Sequence, residues 1–286
     1  MYKIAILGCE NTHANTFLDF VIKDKLYSDI EVVGVYSDDK EAADKLGKQY
    51  GVYVSESYEE FAGKVDGIII TARHGDKHYK YAKPYIASGI PMFIDKPVTI
   101  SEEEAREFKN ELVKNNIKVC GGSVCKFAAF IQLLKRSVEQ KSYGEVYGGY
   151  LRAPVSMENP HGDFFFYSQH LVEVMCEIFG FYPNSAMAFR NGNVVTCVVR
   201  YNQYDVNLSF VDGNYDYYAG IDCENNAVFS KYVLDGCFEY EFESFYRLLK
   251  GENQPKTYED FFAPVFIMNA IDRSLKSGRE EKIERQ

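Results

Sequence analysis

The chain has no run of about 18 consecutive apolar residues, so no membrane-spanning helix is expected. It has no Cys-x-x-Cys pair. Its seven cysteines (Cys9, Cys120, Cys125, Cys176, Cys197, Cys223, Cys237) are scattered and odd in number, which argues against a disulfide framework or a structural zinc site and predicts free thiols in a reducing compartment. It has no excess of base. Lys and Arg number 32 against 42 Asp and Glu, a net charge of −10, which excludes a nucleic-acid partner held through clustered cations. There is no leader pattern either: Met1 runs straight into the apolar strand pattern Tyr2–Leu7, and a cytoplasmic location is expected. Histidine is scarce, with five residues at positions 13, 74, 78, 161 and 170.

What remains is ordinary globular composition, 46% hydrophobic and 26% charged over 286 residues, enough for two domains. Over residues 1–120, apolar runs (Lys3–Leu7, Glu31–Tyr36, Val52–Val54, Gly67–Thr71, Met92–Ile94, Lys118–Cys120) alternate with amphipathic stretches near 14–24, 40–50, 57–63, 76–88 and 101–115. Several runs are apolar at consecutive positions, as in strands buried on both faces of a parallel sheet. The alternation predicts an α/β, doubly wound, dinucleotide-binding domain. After Gly121-Gly122 the pattern changes. Helices at Phe127–Ser137, Phe165–Phe179 and Tyr258–Lys276, a strand at Glu145–Arg152, and closely spaced strands separated by Asn191-Gly192 and Asp212-Gly213 predict an α+β second domain over 121–286, with a mostly antiparallel sheet.

Five segments carry chemistry. Gly8-Cys9-Glu10-Asn11-Thr12-His13 lies between the first strand and helix, where a phosphate loop belongs; Gly8 holds the first glycine position of G-x-G-x-x-G, and Glu10 and His13 hold the other two. Ser37-Asp38-Asp39 follows the second strand, where an acid accepts hydrogen bonds from the adenosine ribose, or equally caps the next helix. Thr71-Ala72-Arg73-His74-Gly75-Asp76-Lys77-His78 follows the strand at 67–71, at the carboxyl edge where open sheets bind ligands. The spacing of His74 and His78 lacks the Glu of a metallopeptidase helix, and no metal site is expected. Asp95-Lys96-Pro97 ends a buried strand with a lysine that must be paired or used. His161-Gly162-Asp163 leads through an aromatic run to Tyr167 and His170, a candidate acid or base.

At Lys96 and His170 the chain resembles the glucose–fructose oxidoreductase/inositol dehydrogenase (Gfo/Idh/MocA) family. Asp66–Ala72 with His78, Gly89–Pro97, Tyr143-Gly144-Glu145-Val146, Gly162–Gly180 and Tyr258–Gly278 match its successive motifs. The resemblance implies a Rossmann domain carrying NAD or NADP, with NAD favoured by Asp38. It implies an α/β domain whose open sheet forms a homo-dimer or homo-tetramer interface, and hydride transfer at a sugar or polyol carbon. Lys96 then binds substrate and relays a proton, and His170 stands near the reacting hydroxyl, with Tyr167 beside it and His161 as a further substrate contact. The remaining cofactor contacts are Gly8, Glu10, Asn11, Thr12, His13, Ser37, Asp38, Thr71, Ala72, Arg73, His74, His78, Asp95 and Pro97. The chain departs from the family at Glu10 and His13, at Asp95 (in place of Glu), at Ser37 (in place of the ribose-binding Asp) and at Phe166 (in place of the Asp four residues before His170). Two other functions stay open: an NAD-assisted hydrolase or lyase, and a non-catalytic ligand-binding or regulatory protein on a dehydrogenase fold.

Overall fold

The computed structural model describes residues 1–284, and the chain divides into two compact units. Unit 1 comprises Met1–Thr99, Glu103–Gly122 and Phe238–Tyr258. Its strands β1 (Tyr2–Leu7), β2 (Ile30–Tyr36), β3 (Gly67–Ile70), β4 (Met92–Asp95) and β5 (Val119–Gly122) form a wholly parallel sheet in the order β2-β1-β3-β4-β5. β3, β4 and β5 are buried at every position, which is why they read as continuous apolar runs.

The expected strand at 52–54 is reduced to a single parallel bridge, Val54 against Val35. Two backbone bonds flank it, Val35 N to Tyr53 O (2.8 Å) and Ser55 N to Val35 O (2.9 Å). The left-handed cap at Gly51 and the turn after Ser55 leave no room for more. The expected helix at 57–63 is a series of i→i+3 turns, closed at Gly63.

The crossovers are α1 (Thr12–Leu18, prolonged as a π-helical turn over Asp19–Lys23), α2 (Lys40–Tyr50), α3 (Asp76–Ile86) and α4 (Glu102–Lys114). β2 flanks β1 on one side and β3 on the other, so the strand order reverses at β1, and the loops after β1 and β3 border the crevice where open α/β sheets take ligands.

Unit 2 holds Ile100–Glu102, Ser123–Cys237 and the chain from Glu259 onward. A short 3-10 turn (Val124–Phe127) leads into α5 (Ala129–Glu139); β6 (Val146–Val155) and α6 (Phe164–Phe179) follow. Then come β7 (Ser185–Asn191), β8 (Val194–Arg200), β9 (Asp205–Asp212), β10 (Tyr217–Cys223) and β11 (Ala227–Tyr232). With β12 (Glu281–Lys282) they form a seven-stranded sheet in the order β11-β10-β6-β9-β8-β7-β12, antiparallel except for β6 against β9. Val206, Leu208 and Phe210 point into the core, as their alternation predicts. Tyr147, Tyr150, Phe189 and Phe229 are exposed.

The remaining helices are α7 (Cys237–Leu249) and α8 (Tyr258–Ser277). Residues 238–258, from the 121–286 stretch, pack in unit 1, and Ile100–Glu102, from the 1–120 stretch, pack in unit 2. The cause of the first is the apolar stripe of α7. Phe242, Phe245, Leu248 and Leu249 join Ile4, Ile6, Phe17, Phe20 and Phe93 in one core, covering a parallel sheet that needs cover on both faces. Gly67 allows the approach, since a Cβ there would meet Leu249 Cδ2 at 2.5 Å.

Candidate active site

In unit 1 the first strand ends on Gly8, at φ +95°. A Cβ there would lie 2.1 Å from the backbone nitrogen of Ala72, so only glycine lets the turn after β1 rest against the turn after β3. Thr71, fully buried, fastens the contact by donating its hydroxyl to the Gly8 carbonyl oxygen at 2.7 Å. His78, also fully buried, lies with Nε2 2.8 Å from the Ala72 carbonyl oxygen, which a neutral ring donating at that nitrogen satisfies. Burial pushes the His78 pKa down, against the pull of Asp95, so the ring is neutral. Its neighbour in sequence, His74, instead pairs with Asp76 at 2.8 Å, and among the described residues no cluster of metal-ligating side chains forms.

Glu10 reaches across the crevice. One carboxylate oxygen accepts the hydroxyl proton of Ser37, at the end of β2; the other accepts the backbone N–H of Arg73, after β3, at 3.1 Å. Ser37 Oγ in turn accepts the backbone N–H of Asp39 at 3.1 Å. The two following acids are engaged elsewhere. Asp39 caps α2 through Ala42 N, and Asp38 takes the hydroxyl of Tyr36 at 2.7 Å and lies 3.2 Å from Lys77 Nζ. Burial tends to raise the Asp38 pKa, but the bonds from Tyr36 and Lys77 outweigh it and hold the carboxyl below its usual range.

Asp95, wholly buried at the end of β4, gathers the donors on the inner side of the same loop. Asn11 Nδ2 donates to it at 2.7 Å, Lys96 N at 2.7 Å, and His13 Nδ1 lies 2.8 Å away as an imperfectly aligned ion contact. Desolvation alone would raise the Asp95 pKa; His13 and Lys96 reverse this and hold it low, so the group is ionised at neutral pH. His13 is 6% exposed and packs edge-on against Phe238 at 5.0 Å, while Thr12 stands exposed on the outer side. Lys96 is 6% exposed, and Pro97 is buried after it.

Unit 2 carries a second polar cluster. His170, 5% exposed on α6, lies with Nδ1 2.7 Å from Ser123 Oγ and 3.4 Å from Cys125 Sγ. Ser123 Oγ accepts the backbone N–H of Cys125 at 3.1 Å, and the remaining bond of Ser123 runs from its backbone N–H to Glu173. In the tautomer that accepts at Nδ1, the Ser123 hydroxyl donates to His170. Neutral His170 then carries its own proton on Nε2. One helical turn on, Glu173 is buried in an ion pair with Lys126 at 2.8 Å and accepts from Gln169 at 3.1 Å. The Tyr167 ring lies tilted, 5.4 Å from that of His170, and half-buried His161 lies 5.5 Å from Phe166. Asp163 holds φ +47° and accepts from Asn159 N at 2.8 Å, so its carboxylate closes the turn before α6.

The sequence reading thus named one end of each cluster. Gly8, Glu10, Asn11, His13, Ser37, Thr71, Ala72, Arg73, Asp95 and Lys96 come together at the carboxyl edge of the first sheet. His74 turns to Asp76, and Asp38 to Lys77. Ser123, Cys125, Lys126 and Glu173 were not singled out. The signal available for them was a Ser and a Lys flanking Cys125 directly after a Gly-Gly strand end.

A family model described as an oxidoreductase family with an NAD-binding Rossmann fold (GFO_IDH_MocA) matches residues 2–122. No curated protein matches the sequence. Among solved structures, a myo-inositol dehydrogenase from Corynebacterium glutamicum is similar at 16% identity and TM-score 0.84, with 100% of both chains covered. The scyllo-inositol dehydrogenase from Lactobacillus casei, solved with NAD(H) and scyllo-inositol, is similar at 14% identity and TM-score 0.85, with 99% of each chain covered. The WlbA dehydrogenase from Chromobacterium violaceum, solved with NADH and UDP-GlcNAcA, is similar at 16% identity and TM-score 0.82, with 99% of this chain and 96% of that one covered. No described helix is long and apolar enough to cross a membrane. Residues 2–122 thus match the model of an oxidoreductase family with an NAD-binding Rossmann fold, and over its whole length the chain shares the fold of these dehydrogenases.

Proposed function

We propose that the protein is an NAD-dependent oxidoreductase that interconverts a secondary alcohol and its carbonyl on a small polyhydroxylated molecule, a sugar or polyol. Lys96 carries this reading: a lysine 6% exposed at the carboxyl end of β4, beside the buried, ionised Asp95. Burying a cation at the ligand edge of a sheet is costly, which makes it a functional position rather than a solvated one.

The crevice fits a dinucleotide. Gly8 keeps the first turn flat against Ala72, and the two bulky residues at the other fingerprint positions turn aside, His13 inward to Asp95 and Glu10 across to Ser37 and Arg73. Gly8 to Thr12, Ser37, Asp38, Thr71 to Arg73 and His74 would line the bound molecule, while His13, His78, Asp95 and Pro97 brace the loops from within. The bound nicotinamide would accept a hydride from the substrate carbon.

Lys96 binds the substrate oxygen and, in its neutral form, takes its proton during oxidation. His170, in the second unit, is the other candidate for the base. Tyr167 and His161 supply the further substrate contacts. The first unit is the cofactor domain and the second the substrate domain. The exposed aromatics of the second sheet serve as a homo-oligomer face, and the buried free cysteines fit a cytoplasmic setting.

The bound inositol and sugar nucleotide of the structural neighbours support the substrate class. A screen of inositols, aldoses and sugar acids with NAD, read as nicotinamide absorbance, is expected to yield turnover. Phe166, buried at the position of the family's Asp, favours a second reading, a ligand-binding protein without turnover. Sugar or polyol binding with no NADH formed on any bound compound would replace the first reading with the second.

A further inference from the structure

We propose that Glu10 supplies the carboxylate for the adenosine ribose in place of the missing acid at the end of β2, and thereby sets a preference for NAD over NADP. The inference deepens the proposed function and rests on it. In dinucleotide folds the ribose hydroxyls are held by an acid at the end of the second strand. Here that position is Ser37, too short to reach a ribose as a carboxylate does. The Ser37 hydroxyl is bonded to Glu10, so the turn after β1 delivers a carboxylate to within hydrogen-bond reach of the serine side chain at the end of β2.

The neighbouring acids are committed to other work. Asp39 caps α2, and Asp38 holds Tyr36 and Lys77. Glu10 is half-buried, and Ser37 and the Arg73 N–H fill only two of roughly four acceptor sites on a carboxylate. The rest can accept the 2′- and 3′-hydroxyls of a ribose. The same arrangement acts against a 2′-phosphate. Such a phosphate would look to the Ser37 hydroxyl and the Arg73 N–H as donors. Glu10 has taken both and presents a like charge in their place.

The test is calorimetric titration of the wild type, Glu10→Gln and Glu10→Ala with NAD, NADH, NADP and NADPH, with no substrate present. Wild type is expected to prefer the unphosphorylated pair. Glu10→Ala should bind NAD(H) about tenfold or more weakly, the size of a hydrogen bond to a charged group. It should bind NADP(H) more tightly than wild type, because Ser37 and Arg73 N are released. Glu10→Gln keeps the shape without the charge and should narrow the NAD/NADP ratio with little change in fold. Tighter NAD(H) binding by Glu10→Ala would mean that the carboxylate obstructs the seat, and would overturn the proposal. An unchanged NAD/NADP ratio in both variants would overturn it as well, while leaving the oxidoreductase reading intact. Failure of wild type and variants alike to bind any of the four would remove the oxidoreductase reading and this proposal together.

Discussion

Replacing Asp95 by Asn tests whether the loop after β1 is held from beneath by one buried charge. Three groups converge on the Asp95 carboxylate: Asn11 Nδ2 at 2.7 Å, Lys96 N at 2.7 Å and His13 Nδ1 at 2.8 Å. An amide has a single acceptor oxygen, and its NH2 would face a donor on the other side. At least one buried donor then loses its acceptor, at about 1–3 kcal/mol, and the contact with His13 loses its charge. Breaking one side of a buried pair costs about 3–5 kcal/mol, so a loss of about 3 kcal/mol is expected in urea unfolding followed by circular dichroism. Asp95→Glu keeps the charge and should cost less. The acid limb supplies a second reading. The folded-state pKa of Asp95 lies below its ordinary value of 3.8, because His13 and Lys96 outweigh desolvation. Its contribution is therefore complete above about pH 4 and lost as pH falls through the lower folded value. Asp95→Asn should lack that component. An Asn variant within about 1 kcal/mol of wild type, with an unchanged acid limb, would refute the account of the loop.

Three further outcomes follow from the same geometry. Ser123→Ala removes the donor that places the His170 proton on Nε2; two-bond proton–nitrogen NMR of the imidazole should show Nε2–H in wild type and Ser123→Thr but a tautomer mixture in Ser123→Ala, and Nδ1–H in the wild type would refute it. Lys96→Ala should lower turnover on an identified substrate at least a hundredfold while NAD affinity stays within a few-fold; full retained turnover would remove Lys96 from the chemistry. His78 has a pKa lowered chiefly by burial, so stability should fall as pH drops below about 6.5, where the unfolded chain takes up a proton that the folded one resists. In His78→Gln that part of the pH dependence should be absent from thermal unfolding curves.

Much of the architecture is legible in local pattern, because local pattern reports burial. β3, β4 and β5 read as unbroken apolar runs since both their faces are covered, and β9 reads as an alternation since one face is. The change at Gly121-Gly122 is visible because the periodicity itself changes there. Gly8, Lys96 and His170 stand out as residue types that are unusual or costly in their places. By contrast, residues 52–54 have the composition of a strand, and only the neighbouring turns decide that they contribute a single bridge.

The sequence by itself determined the alternation of strands and helices, the position of the first turn and the placing of Lys96 at a strand end, since each follows from preferences acting within a few residues. Tertiary structure decided which side chains meet. Glu10 finds Ser37 and Arg73 at separations of 27 and 63 residues, Asp95 finds Asn11 at 84, and Ser123 finds His170 at 47. None of these pairs follows from local propensity, because each depends on strand order and helix register. The same holds for α7. Its apolar stripe announces a buried helix, but which sheet buries it depends on where the chain returns, and the parallel sheet of the first unit is the surface it covers.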